Sequence, residues 1–445
     1  MTQINILDPE FDGRKLISRV SVPRELRKYI RSSSMFVDYD VEIPSEKSIL
    51  NIPLLATVLP LAWLTGNDIH VDELDRRFKE SMDDLRLKFD KMYPMATFTT
   101  RIIADNLIEN KIVVDQSKRT ALLFSGGVDS TYSLINNIHL RPRLIMYWGV
   151  EGYPYPRYSE YWNRVYDTYS DFAMRGGFTF HMVKTNVLDV MHERRIEHDF
   201  NKKLLYGTLW ERLQHSLVLL SLSAPLSINR FDRFLIAASF HPDHPKTIDK
   251  NRPHSHRPEI DENIAWSSLR VKHDGYIPRF EKTRAIAEYL EKSDLSLRVC
   301  LKRSEESVQL NCSSCGKCYR TIMSLVQEEI NPNICGFNVD NSTFKNMKDS
   351  FIHGGKLTPP DNNTQMLIPD VIEYDFYGSK EFFEWFKKFR PREKNVWLYR
   401  DIYYKLPYNV SKILDEFYKI MNIDIHEHNP ILLDKHIKEI EAYNN

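Results

Sequence analysis

The stretch that decides the fold is residues 119–140, "RTALLFSGGVDSTYSLINNIHL". The apolar run that ends at Phe124 predicts a buried strand, and the apolar spacing from Thr131 to Leu140 predicts a helix. Two glycines, two serines and an aspartate lie between them. A strand that turns into a helix in this way leaves backbone N–H groups without partners, and the helix dipole adds positive charge there. The stretch therefore predicts an anion-binding turn.

Apolar runs alternate with helical patterns after this turn. The runs are residues 143–150, 178–185 and 233–239, and the helical patterns cover residues 131–140, 159–177, 206–223 and 281–293. Strands that alternate with helices predict a parallel sheet covered on both faces. With right-handed crossovers this is a doubly wound α/β fold.

Two further regions flank this predicted core. The expected division is an N-terminal α+β domain of residues 1–117, the α/β core of residues 118–340, and a helical C-terminal extension of residues 341–445. In the first region we expect a strand at 36–44 and an amphipathic helix at 71–93. The apolar stretch 52–64 is too short to span a bilayer and contains Pro60, so it is predicted to be buried core.

The composition limits the classes of function. Lys plus Arg and Asp plus Glu both number 61, so the net charge is zero and gives no support for bulk electrostatic binding to nucleic acid or to a membrane. The N-terminus has early acidic residues and no apolar signal segment. We therefore expect a cytoplasmic protein without membrane association. The regions that flank the core are candidates for an oligomer interface, and we expect a homo-oligomer.

The residue types in the turn suit a phosphate. Gly126 and Gly127 let the backbone approach a ligand closely. Asp129 would repel a phosphate unless a cation lay between them, and Mg²⁺ binds carboxylate and phosphate oxygens together. The predicted nucleotide-binding residues are Ser125, Gly126, Gly127, Val128, Asp129, Ser130 and Thr131.

The pattern S-G-G-x-D-S at 125–130 resembles the signature of the N-type PP-loop ATP pyrophosphatases, and the chain is most similar to the 7-cyano-7-deazaguanine synthases. The resemblance implies a HUP-like core (adenine nucleotide alpha hydrolase) that binds ATP with Mg²⁺ and cleaves it between the α- and β-phosphates. It also implies a lysine at a helix start that reaches the phosphates, here Lys282, with Arg279 assisting. The implied catalytic residues are then Asp129, Lys282 and Arg279.

Four of the five cysteines form a candidate metal site. Cys312, Cys315 and Cys318 give three thiolates on a tight turn, and Cys300 supplies a fourth ligand for a structural zinc ion. The cluster resembles the zinc site of the 7-cyano-7-deazaguanine synthases, although its glycine stands at a different place. An iron–sulfur cluster and a persulfide-carrying cysteine are the alternatives. Cys335 lies outside the set and is predicted to be a buried thiol.

Three functions are compatible with these motifs. The first is an ATP-dependent ligase that adenylates a carboxylate or amide oxygen, releases pyrophosphate, and transfers the product to ammonia or an amine. Its acceptor could be a small molecule, a protein or a modified nucleobase. The second is an RNA sulfurtransferase, and the third is an ATP-binding scaffold or sensor without turnover.

Some weaker candidates lie between the two motifs. The long polar loop at 241–263 supplies possible lid or substrate histidines, and His215 is predicted to be a packing residue. The candidate substrate contacts are Trp266, Ser267, Ser268, His273 and Asp274.

Overall fold

A computed structural model gives the arrangement of most of the chain. It describes residues 3–44, 46–115, 119–242, 253–300, 309–352, 375–389 and 404–420. Part of the predicted 241–263 loop and most of the predicted C-terminal extension lie outside the described residues.

Within the described residues, eleven strands form one continuous sheet. They are β1 (Gln3–Ile6), β2 (Glu10–Phe11), β3 (Lys15–Ser21), β4 (Ser34–Asp38), β5 (Asp68–Asp75), β6 (Ile102–Ile108), β7 (Thr120–Leu123), β8 (Arg143–Trp148), β9 (Phe180–Thr185), β10 (Arg233–Ala237) and β11 (Arg270–Asp274). The order across the sheet is β11-β10-β7-β8-β9-β4-β3-β1-β5-β6, and β2 pairs with β3.

The strands β7 to β11 form a parallel block within this sheet. Numbered from β7, their order is 3-2-1-4-5, so the direction of winding reverses beside β7. In open α/β sheets, ligands bind outside the carboxyl ends of the strands at such a reversal point. The expected α/β class and largely parallel sheet are confirmed, and the antiparallel pair of β4 with β9 joins the N-terminal strands to this block.

Fourteen helices accompany the sheet in the described part of the chain. They are α1 (Lys47–Leu50), α2 (Ile52–Thr65), α3 (Arg76–Met92), α4 (Val128–Asn136), α5 (Ser159–Gly176), α6 (Glu193–Asp199), α7 (His215–Ser221), α8 (Ala224–Ser227), α9 (Pro258–Asp261), α10 (Arg279–Lys292), α11 (Gly316–Gln327), α12 (Thr343–Ile352), α13 (Ser379–Lys388) and α14 (Tyr408–Ile420). A π-helical turn, Trp210–Gln214, runs directly into α7.

Side chains of the parallel block point alternately into two apolar cores. In β8, Leu144 and Met146 lie in the core that contains α4, α5, α10 and α11, whereas Ile145 and Tyr147 lie in the core that contains α2 and α7. Successive strand residues face opposite sides of a sheet, so near-continuous apolar strands require cover on both sides. The helices on the two faces provide that cover.

The predicted helix at 71–93 is wrong at its start. Residues up to Asp75 belong to β5, which pairs in parallel with both β1 and β6. The helix α3 begins at Arg76, and the Asp75 carboxylate accepts a hydrogen bond of 2.9 Å from the Phe78 N–H as its N-cap. Val71 and Leu74 are three residues apart and fit helical spacing, whereas a strand places them on opposite faces. The pairing of β5 with both β1 and β6 decides for the strand.

The apolar stretch 52–64 lies in α2, and its residues are fully buried from Ile52 to Leu64. The prediction of buried core is confirmed. None of the helices among the described residues is both long and apolar enough to cross a bilayer. The strand predicted at 36–44 is β4, which ends earlier, at Asp38.

Candidate functional site

The turn between β7 and α4 can be built only with glycine at position 126. Gly126 has a φ of 75°, and a Cβ there would lie 2.0 Å from the Tyr169 hydroxyl oxygen. The backbone needs the left-handed region that a glycine enters without steric cost, and the ring of Tyr169 leaves no room for a side chain. The turn therefore presents bare backbone at the carboxyl end of β7.

Two serine hydroxyls hold the turn in shape. The Ser125 N–H donates to Ser130 Oγ at 3.2 Å, and Ser130 Oγ donates to the Gly127 carbonyl at 3.1 Å. The Gly127 N–H donates to Ser125 Oγ at 3.3 Å. Val128 is buried in the core, so it can offer a ligand only its backbone. Among the described residues, the buried Thr131 Oγ1 finds no hydrogen-bond partner.

Two cations from a distant part of the chain converge on Asp129. Arg279 Nη2 lies 2.5 Å from Asp129 Oδ2, and Lys282 Nζ lies 3.0 Å from Asp129 Oδ1. Both cations stand in the first turn of α10, which packs against α4. Lys282 Nζ also donates to the Ala238 carbonyl, one residue beyond β10. The three predicted catalytic residues therefore meet at the carboxyl ends of β7 and β10.

The electrostatics of this trio are set by burial and by charge pairing. Burial opposes ionisation of Asp129, but Arg279 and Lys282 outweigh it and lower its pKa to about 2. Burial lowers the pKa of Lys282, whose side chain is 1% exposed, and Asp129 partly offsets that effect. Burial therefore disfavours the charged form of this nearly inaccessible ammonium group, and the Asp129 carboxylate favours it.

Sequence reasoning missed two charged groups at this site. Glu151 follows β8, and burial would raise its pKa, but His215, Lys317 and Arg298 lower it to about 2. Lys317 lies in the first turn of α11 and has its pKa lowered by burial, while Glu151 and Asp129 act in the opposite direction. No motif connects these residues in the sequence, so only the fold brings them together.

Arg298 connects the turn to the cysteine region. Its N–H donates to the Gly126 carbonyl at 2.7 Å and its Nη1 donates to the Ser125 carbonyl at 3.1 Å. The guanidinium lies 4.6 Å from the ring centre of Trp162, and its Nε donates to the Tyr161 hydroxyl at 3.0 Å. An isolated arginine carries no sequence signal, and this role was not predicted.

The four predicted metal-ligand cysteines come together. The Sγ atoms of Cys300, Cys312, Cys315 and Cys318 all lie within 4.8 Å of one another. The separations are 3.9 Å for Cys300–Cys315, 3.9 Å for Cys312–Cys318 and 3.5 Å for Cys315–Cys318. Four thiolates about 2.3 Å from a tetrahedral zinc ion stand about 3.8 Å apart, so the cluster could bind a metal and is compatible with zinc.

The cysteine cluster also joins two chain segments. Cys315 is the N-cap of α11 and Cys318 lies in its first turn, whereas Cys300 follows Arg298 by two residues. Asn311 reinforces this junction, because its Oδ1 accepts from the Val299 N–H at 2.9 Å. A metal here would fix the position of the arginine that holds the glycine turn.

Most of the weaker candidates have structural contacts. Trp266 is fully buried and its Nε1 donates to Ser227 Oγ at 2.9 Å, so it is a core residue. The Ser267 N–H donates to Asp75 Oδ1 at 3.0 Å, and Ser268 Oγ lies 3.5 Å from the Ile112 carbonyl oxygen. Ser267 and Ser268 therefore connect the segment before β11 to the N-terminal part of the chain.

The remaining candidates lie near the ends of β10 and β11. Asp274 is buried and accepts a hydrogen bond of 3.0 Å from Asn137 Nδ2. His215 packs against the ring of Trp210, as predicted, and its Nε2 also lies 3.5 Å from Glu151 Oε1. His273 belongs to a buried group described below, whereas His244 lies outside the described residues.

Comparison with known proteins adds no relatives: no family model matches the chain, and neither a curated protein nor a solved structure shows significant similarity to it.

Proposed function

We propose that the protein is an ATP-dependent ligase that cleaves ATP to AMP and pyrophosphate. In this proposal the turn between β7 and α4 binds the β- and γ-phosphates, and the core is a HUP-like PP-loop domain. The single observation that carries the proposal is the convergence of Lys282 and Arg279 on Asp129. A carboxylate beside an anion-binding turn, with two cations that can be transferred to an incoming anion, suits a magnesium–nucleotide complex.

The charges around the turn support a polyanionic ligand. Arg279, Lys282, Lys317 and Arg298 supply four positive groups, whereas Asp129 and Glu151 supply two negative ones. The site therefore has an excess of positive charge that a polyanion could neutralise. Asp129 would hold Mg²⁺, and Lys282 and Arg279 would then be available to stabilise the departing pyrophosphate.

The proposed reaction consumes ATP, a carboxylate or amide, and ammonia or an amine, and it needs no other reactant. A carboxylate or amide oxygen attacks the α-phosphorus, the α–β phosphoanhydride bond breaks, and pyrophosphate leaves with the electron pair. Ammonia or an amine then attacks the activated carbon and displaces AMP. The chain's own residues bind the leaving group and orient the nucleotide, and they hold the metal that neutralises the developing charge.

The cysteine cluster supports a structural zinc ion in this proposal. An iron–sulfur cluster interposes several iron and sulfide ions and holds its thiolates farther apart than a single tetrahedral ion does. Sulfur atoms within 4.8 Å of one another therefore favour zinc. Thiolates that bind zinc are also not available as sulfur carriers, which disfavours the RNA sulfurtransferase.

The experiment that tests the proposal is exchange of labelled pyrophosphate into ATP. The protein is incubated with ATP, Mg²⁺, labelled pyrophosphate and single members of a carboxylate panel. We expect label in ATP only with a carboxylate that is adenylated, and we expect no exchange with Lys282→Met. The matched control is His139→Gln, an exposed histidine away from the site. Release of ADP and phosphate in place of AMP and pyrophosphate would contradict the proposal.

A further inference from the structure

A buried group of two histidines and one aspartate lies beside the candidate ATP site. Its members are His256, Asp261 and His273, which come from the segment before α9, from α9 and from β11. Their side chains are 6%, 0% and 1% exposed. From the sequence, His256 is a possible lid residue and His273 a substrate contact. In the fold, both histidines instead contact the carboxylate of Asp261.

The contacts within this group converge on one oxygen. His256 Nδ1 lies 2.9 Å from Asp261 Oδ2, and His273 Nδ1 lies 2.6 Å from the same oxygen. Among the described residues, neither Asp261 Oδ1 nor His273 Nε2 has a hydrogen-bond partner. A buried carboxylate with one unsatisfied oxygen is costly unless a further positive group compensates it. The two unsatisfied atoms could therefore accept a bond from a cation.

We propose that His256, Asp261 and His273 form a second metal site, which binds a divalent first-row transition-metal ion such as zinc. Two imidazole nitrogens and a carboxylate oxygen are the ligand set that such ions accept. The three ligand atoms lie within 4.8 Å of one another, as for a single ion. Three protein ligands leave a fourth position for water or for an oxygen of a ligand. This proposal does not depend on the proposed ATP chemistry.

The surroundings of His256 fit a metal ligand. Its Nε2 lies 3.0 Å from the Ala237 carbonyl oxygen and 3.2 Å from the Ser239 nitrogen. A histidine that binds a metal through one nitrogen usually donates its other N–H to a carbonyl or carboxylate, and Ala237 offers such an acceptor. The ring of His215 packs 4.7 Å from that of His256 on the side of the candidate ATP site.

The second metal site lies next to the backbone that accepts the hydrogen bond from Lys282. His256 holds the chain at Ala237 and Ser239, and the intervening Ala238 carbonyl accepts the hydrogen bond from Lys282. A metal on His256 would therefore fix the turn that supports the buried ammonium. The ligand set differs from that of the cysteine cluster, so the two sites can be distinguished by spectroscopy.

The test is the metal content of the full chain after saturation with zinc and removal of the excess. We expect two ions per chain in the unaltered protein and one ion in His273→Gln. Cys315→Ser should also keep one ion, and the control His139→Gln should keep two. One ion per chain in the unaltered protein, with no loss in His273→Gln, would overturn the proposal.

Two further measurements keep the test decisive if a variant folds poorly. Cobalt substituted into Cys315→Ser should give weak ligand-field bands without thiolate charge transfer, as expected for nitrogen and oxygen ligands. Anomalous diffraction from crystals of the unaltered, zinc-saturated protein should show a peak between His256, Asp261 and His273. The absence of that peak, with the cysteine site occupied, would refute the second site.

Discussion

The substitution Gly126→Ala should destabilise the protein strongly because it attacks the turn between β7 and α4 at its tightest point. The left-handed backbone costs an alanine about 1–2 kcal/mol. The new methyl group would also overlap the Tyr169 hydroxyl, which lies 2.0 Å from the Cβ position. Moving Tyr169 sacrifices its hydrogen bond of 2.9 Å to the Ser296 carbonyl, worth about 1 kcal/mol.

The same movement also disturbs an aromatic pair. Tyr169 packs edge-on against Phe124, with ring centres 5.3 Å apart, and such pairs contribute about 0.5–1.5 kcal/mol. The free energy of unfolding of Gly126→Ala should therefore fall by about 2.5–4.5 kcal/mol when these costs add. Equilibrium denaturation in urea measures that difference directly.

The neighbouring glycine provides a matched control. Gly127 has an ordinary negative φ of −78°, and a Cβ there would lie 3.3 Å from Ser125 Oγ. Gly127→Ala should therefore cost less than about 1 kcal/mol, because no left-handed strain and no deep overlap arise. If the two variants unfold within about 0.5 kcal/mol of each other, the steric account of the turn is refuted. The double variant Gly126→Ala/Tyr169→Phe should not regain the lost free energy of unfolding, since the ring carbon Cζ would still lie 2.4 Å from the Cβ.

Three further predictions concern the charges and the metal. Asp129→Asn should abolish pyrophosphate formation and Lys282→Met should do the same, both with a native circular dichroism spectrum; retained turnover would contradict their roles. The pKa of Asp129 is lowered to about 2, so its ion pairs stabilise the fold fully above pH ~4. About 2 kcal/mol of that stabilisation is lost as the pH falls from 4 towards 2. The free energies of unfolding of the unaltered protein and of Asp129→Asn should therefore converge near pH ~2. Cys315→Ser should lose the zinc ion of the cysteine cluster and, by loosening Arg298, weaken ATP binding at least tenfold, whereas Cys335→Ser should keep that ion. Equal zinc content in the two variants would exclude Cys315 as a ligand.

Part of this fold could be predicted from short-range pattern. Continuous apolar runs marked β8 and β10, because strands buried on both faces have no polar side to show. The strand β5 was missed, because the spacing of Val71 and Leu74 is helical and only the pairing of this segment with β1 and β6 makes it a strand. The joining of the N-terminal strands to the parallel block through β4 and β9 is a long-range pairing with no local signal.

The site was predicted where a motif concentrated its residues. The glycine turn and the cysteine cluster are compact in sequence, whereas Lys282 was found only through resemblance to a family. The sequence did not predict three charged residues of the site, Glu151, Lys317 and Arg298. Each is a single charged residue that acquires its role only when three strand ends and α11 come together. The His256–Asp261–His273 group escaped for the same reason.

The most direct test of the central claim is a crystal structure with Mg²⁺ and an ATP analogue that has a methylene group between the α- and β-phosphates. We predict that the β- and γ-phosphates lie against the backbone N–H groups from Gly126 to Thr131, with Lys282 released from Asp129 to a phosphate oxygen. Phosphates bound elsewhere on the protein, with the Lys282–Asp129 pair intact at 3.0 Å, would contradict the account.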